Sequence, residues 1–114
     1  MANENLASRH CTPCEKDQEP LKGSELDDLA DRIDDDWEVQ NEHHLEREFD
    51  FDDFRRALDF TNAVGEIAEE EGHHPDIELG YGRVKLTIFT HNIDGLSEND
   101  FILAAKADDA LKSM

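Results

Sequence analysis

Between Leu26 and Leu111 the apolar residues change spacing from helical to alternating and back, and this order of periods constrains the fold more than any other feature of the chain. Leu26, Leu29 and Ile33 recur at helical spacing, with Ser24 placed to cap a short helix over 25–33 and Asp34-Asp35-Asp36 ending it. Trp37 and Val39, then Leu45, Arg47 and Phe49, alternate with polar residues on either side of a Gln40 to His43 turn, which reads as a hairpin. The helical period returns over 52–71, where Phe54, Leu58, Thr61, Val64 and Ile67 or Ala68 share a face widened by Ala57 and Phe60. Gly72 is the stop signal. A second hairpin follows, with strands over Ile77 to Leu79 and Val84 to His91 around Gly80-Tyr81-Gly82. Ser97-Glu98-Asn99-Asp100 has the form of a capping box, Asp100 reaching back to the Ser97 N–H, and it opens a last helix bearing Phe101, Ala104, Ala107 and Leu111.

The order helix, two strands, helix, two strands, helix predicts an α+β two-layer sandwich, a four-stranded antiparallel sheet with helices on one face. A chain of 114 residues forms one such domain, placed at 24–114. Residues 1–23, polar and without a period, read as a flexible N-terminal arm. Phe89 falls on the face that the helices leave bare, and a second subunit is expected to cover it, making a homo-oligomer.

Eleven Lys and Arg stand against 30 Asp and Glu, a formal charge of −19, so nucleic acid and anionic membrane surfaces are excluded as expected partners. Like charges crowded on a small domain repel unless screened, and stability is expected to rise between low and moderate salt. No apolar run approaches the length of a membrane span, and Met1-Ala2-Asn3-Glu4-Asn5 lacks the character of a secretory leader, so a cytoplasmic protein is expected. Cys11-Thr12-Pro13-Cys14 is a half-site for zinc or a redox pair. Without a second pair or a βαβ context it reads as part of the reduced arm.

The chain has no phosphate-binding glycine loop, dinucleotide fingerprint, serine nucleophile elbow or zincin helix. Histidine remains as the residue able to carry chemistry. His73-His74-Pro75 lies in the loop after the long helix, and His91 closes the long strand, so that a hairpin can bring three imidazoles to one cleft. An imidazole donates or accepts a proton near neutrality, which suits a reaction whose barrier is proton transfer. Adjacent histidines in an extended segment point to opposite sides, so His73 and His74 are poor joint metal ligands and no metal is expected. His43-His44, in a polar turn without a third partner, is read as a solvated pair.

Glu69, His73-His74-Pro75, Tyr81, Thr90-His91 and Asp100, at their spacing, together resemble the signature of the pterin-4a-carbinolamine dehydratases. The likeness extends to Phe49-Asp50-Phe51, Phe54, Phe60 and Gly95-Leu96-Ser97-Glu98, and it spans about residues 26–112. The chain departs from many relatives at Ile77, where they carry an aromatic residue. The resemblance implies the same α+β sandwich, dimers or tetramers, and dehydration of 4a-hydroxytetrahydropterin to quinonoid dihydropterin without a cofactor. That substrate is the product of aromatic amino acid hydroxylases, to which it implies a functional link. By the same resemblance His73 and His91 are the acid/base pair and His74 orients the pterin. Pro75, Thr90, Asn92 and Ile93 shape the pocket, and Asp100 supports it from behind. Two other roles on the same fold are a module that docks on a partner protein, as some relatives do on a transcription factor, and a RuBisCO-related homologue.

Overall fold

The computed structural model describes residues 6–13, 15 and 17–114. Helices α1 (Gly23–Ala30), α2 (Phe54–Glu71) and α3 (Glu98–Lys112) alternate with strands β1 (Glu38–Gln40), β2 (His44–Asp50), β3 (Asp76–Gly80) and β4 (Arg83–Ile88) in the order α1-β1-β2-α2-β3-β4-α3. The strands lie β1-β2-β4-β3 and every neighbouring pair is antiparallel, so β2 and β4 join the two hairpins at the centre. This is the expected α+β fold, and the pairing follows from the alternation. Leu45 opposite Ile88, Arg47 opposite Leu86 and Phe49 opposite Val84 face the helices, while Glu46, Glu48 and Asp50 lie opposite Thr87, Lys85 and Arg83 on the other side.

The core packs Leu45, Phe49, Val84, Leu86 and Ile88 of the sheet against Phe60 and Val64 of α2 and Phe101, Ile102 and Leu103 of α3. α3 is covered on several sides, since it meets α1, α2, β4 and a 3-10 turn at Leu6–Ser8. That is why its buried residues run almost continuously from Asn99 to Ala105 rather than in a stripe.

Several local expectations are corrected. α1 begins at Gly23, and its capping position is Lys22, which supplies no side-chain bond; Ser24 sits inside the first turn. The buried face of α2 is Ala57, Phe60, Val64 and Ala68, because the small Ala57 permits close approach to the core while Phe54, in the first turn, is 43% exposed. β4 ends at Ile88, three residues short of His91, and the chain then closes a narrow loop through an isolated bridge between Thr90 and Gly95. The helix-free face pairs Glu48 with Lys85 and Asp50 with Arg83 across β2 and β4. Phe89 is packed among the rings of His43, His44 and His91.

The described part of the N-terminal segment lies against the domain. Leu6 is 2% exposed in the core, Lys106 donates to the Ala7 carbonyl at 2.8 Å, and the Leu21 N–H donates to the Leu96 carbonyl at 2.8 Å. Met1 to Asn5, Cys14 and Lys16 lie outside the described residues, and with Cys14 the reading of Cys11-Thr12-Pro13-Cys14 as a pair. Among the described residues no helix is long and apolar enough to cross a membrane.

Candidate active site

α2 ends where Gly72 takes a left-handed conformation, φ +67°, and its N–H donates to the Ala68 carbonyl at 2.9 Å. The reversal separates the next two side chains, so that the His73 ring is 12% exposed and the His74 ring 59%. His73 Nε2 lies 2.6 Å from Asp100 Oδ1. Asp100 has no exposed surface, and its other oxygen accepts from the Thr90 hydroxyl at 2.9 Å and from the Ser97 N–H at 2.8 Å. The carboxylate thus serves as helix cap and as anchor for His73. A carboxylate only accepts, so His73 Nε2 carries the proton of that bond and Nδ1 keeps its lone pair.

Thr90 is fixed for its part by the loop closure, its N–H donating to the Gly95 carbonyl at 2.8 Å. Position 95 admits only glycine without rearrangement, because a Cβ there would stand 2.6 Å from the Pro20 ring. His91 opens the 3-10 turn His91–Ile93 as an exposed side chain. Its ring centroid lies 4.2 Å from that of Phe89, which in turn lies 4.7 Å from His43. The ring of His43 is held between Asp94 Oδ1, 2.8 Å from Nε2, and His44 Nδ1, 3.0 Å from Nδ1. His43 and His44 therefore do have partners, supplied by a loop distant in sequence. His74 Nε2 pairs with Glu69 Oε2 at 2.6 Å on the rim.

His73, His74 and His91 line one cleft of about 530 Å³, together with Pro75, Asp76, Thr90 and Asn92. Of the sequence-derived candidates, Ile93 does not reach the wall and is 8% exposed in the body of the loop. Asp100 stands behind His73. The cleft volume is in the range of small-molecule sites, and its polar groups converge from the α2–β3 turn and the loop after β4. Among the described residues no group of three His, Cys, Asp or Glu side chains is arranged to hold a metal ion.

The remaining wall was not legible from the pattern of residues. Cys11, Thr12 and Pro13 of the N-terminal segment, with Glu71 and Asn99, complete the cleft. Asn99 could be found as a member of the capping sequence, but nothing in its spacing points toward a segment 87 positions away. Burial opposes ionisation of Glu71, yet the Cys11 N–H, the His10 ring and Lys106 overcome it and hold the carboxyl below its ordinary value. The distances are 2.7 Å from the Cys11 N–H to Oε1, 2.9 Å from His10 Nδ1 to Oε2 and 3.6 Å from Lys106 Nζ to Oε2.

A sandwich of this topology, with a cleft faced by imidazoles and backed by a buried carboxylate, defines a class of small α+β proteins with a small-molecule site. Comparison with known proteins narrows it. The sequence pattern of the family described as "Pterin 4 alpha carbinolamine dehydratase" matches residues 19–110, and the chain belongs to that family. A protein of Rubrobacter xylanophilus named "Putative pterin-4-alpha-carbinolamine dehydratase" is 57% identical over 103 residues, covering 90% of this chain and 95% of its own. One of the same name from Alkaliphilus metalliredigens is 52% identical over 104 residues, with 91% and 94% covered. Among solved structures, a transcriptional coactivator/pterin dehydratase from Brucella melitensis superposes with a TM-score of 0.74 at 32% identity, covering 80% of this chain and 97% of that one. A pterin dehydratase-like protein described as a RuBisCO assembly factor in the alpha-carboxysome gives a TM-score of 0.57 at 26% identity, over 65% of this chain and 87% of that one.

Proposed function

We propose that the cleft catalyses dehydration of a 4a-hydroxytetrahydropterin to the quinonoid dihydropterin by histidine acid/base chemistry. In this reaction the C4a–O bond breaks, the hydroxyl leaves as water after taking a proton from an acid, and a ring N–H proton passes to a base. Electrons from the ring nitrogen form the new double bond, so no electrons leave the substrate. What the protein must supply is a proton donor and a proton acceptor on a fixed heterocycle.

The observation that carries this reading is the meeting of His73, His74 and His91 on one cleft, with His73 held at 2.6 Å by the buried Asp100. His73, whose Nδ1 keeps its lone pair, is suited to take a proton while its charged ring stays beside the carboxylate. His91, held by a ring face rather than by a carboxylate, is suited to protonate the leaving hydroxyl. His74 orients the pterin from the rim, and Thr90, Asn92 and Pro75 bound the pocket. On this reading the protein is cytoplasmic, assembles as a dimer or tetramer, and consumes the carbinolamine released by an aromatic amino acid hydroxylase. Freshly generated carbinolamine should lose its ultraviolet absorbance faster with the protein than without it, at a rate that chelators leave unchanged.

The words coactivator and assembly factor in the names of the two structural neighbours favour a second reading, a docking module that binds a partner protein and leaves pterins unturned. The same assay separates the two, since the docking module gives no acceleration.

A further inference from the structure

We propose that the segment Cys11–Pro13 is a strap that forms the substrate-covering wall of the cleft, and that Asn99 and Glu71 are positioning residues that act on substrate affinity through it. This rests on the dehydratase reading of the cleft and adds a specificity element to it.

The strap is built rather than merely adjacent. The Asn99 side chain binds Thr12 on both sides, accepting from its N–H at 3.0 Å and donating to its carbonyl at 2.5 Å, as a neighbouring strand would. The Glu71 carboxylate takes the Cys11 N–H at 2.7 Å, and upstream Arg9 pairs with Glu98 at 2.9 Å while Leu6 is buried in the core. Each clamp is a close chain neighbour of one member of the His73–Asp100 pair. Glu71 stands two residues before His73 on the last turn of α2, and Asn99 stands next to Asp100 on the first turn of α3. The docked strap and the docked His73 therefore share the same two helix ends.

The clamping also fixes what the strap can offer a ligand. The N–H groups of Cys11 and Thr12 are already bound, so these donors do not read the polar edge of a heterocycle. The strap meets the ligand by contact, through surface that includes the Pro13 ring, and suits the flat face of a planar ring. Polar recognition falls to other residues of the lining, at His91 and Asn92 of the loop after β4.

The test uses the full chain, with 7,8-dihydrobiopterin as the binding probe followed by fluorescence quenching, and carbinolamine turnover in parallel. Asn99→Ala should weaken probe binding and raise KM about tenfold, while kcat at saturation falls no more than about twofold. Thr12→Pro removes the N–H that Asn99 accepts without touching α3, and should do the same. In the wild type, bound probe should slow alkylation of Cys11 by iodoacetamide, mapped by peptide mass spectrometry. Unchanged binding in both variants, or alkylation of Cys11 at the same rate with the probe bound, overturns the strap. A wild type that neither binds the probe nor turns over the carbinolamine overturns the dehydratase reading beneath it.

Discussion

The two ends of α3 each bury an aspartate, and the pair shows how one residue type serves two purposes in a small domain. At the cleft end Asp100 is fully covered and meets His73, the Thr90 hydroxyl and the Ser97 N–H, each a donor within 2.9 Å. At the far end Asp108 meets the Trp37 indole N–H at 2.9 Å and Arg47 at 2.8 Å. There burial outweighs the Trp37 and Arg47 bonds and raises the Asp108 carboxyl above its ordinary value. Arg47 faces the helices from β2, lies over the Phe49 ring at 4.3 Å, and keeps its Nε without a partner among the described residues. Asp100 passes its order on to a side chain in a cleft. Asp108 ends in the packing of sheet on helix.

The largest effects are expected at the cleft end. His73→Ala or His91→Ala should lower kcat by about 10²- to 10⁴-fold and leave the protein folded. Turnover like the wild type in both would break the contrast, because the cleft end would then be as purely structural as the far end. A crossed pair of variants sharpens it. Asp100→Asn keeps the shape but can present its amide to His73 and favour the other tautomer, so kcat should fall by about 10- to 100-fold. Asp108→Ala should leave kcat alone and cost roughly 2 kcal/mol in denaturant unfolding, since a buried indole N–H and a guanidinium lose their acceptor.

The smallest effect is the pH dependence, where Glu71 of α2 beside the cleft and Asp108 at the far end of α3 differ in sign. The lowered Glu71 carboxyl contributes stability that is present above the ordinary carboxylate value and is lost as the pH falls through its folded value. The raised Asp108 carboxyl contributes stability that is present below the ordinary value and is lost as the pH rises through its folded value. Denaturant midpoints taken from pH 3 to pH 7 should therefore show Glu71→Gln flattening the acid limb, whereas Asp108→Asn steepens it.

The same contrast explains how much the sequence reveals. Asp100 is legible as a cap because one partner follows from local rules: three residues after Ser97, in a helix-opening sequence, a carboxylate reaches back to the backbone, whereas its bond to His73 spans 27 positions. The hairpins and the long helix are legible for the same reason, as periods in adjacent residues. Asp108, Glu71 and Asn99 owe their roles to partners 60 to 87 positions away, at Arg47, Cys11 and Thr12, and no spacing announces such pairs. His43 and His44 look solvated until the loop after β4 brings Asp94 and Phe89 to them. Phe89, which alternation places on the bare face of the sheet, is partly covered by rings from its own chain.

The most direct measurement is a single-turnover assay in which purified protein meets freshly formed 4a-hydroxytetrahydropterin and loss of the carbinolamine absorbance is followed. Dehydration many times faster than the buffer reaction, and returned nearly to the buffer rate in the His73→Ala, His91→Ala double variant, is the predicted result. A wild-type protein that binds the pterin and leaves its decay at the buffer rate would contradict it.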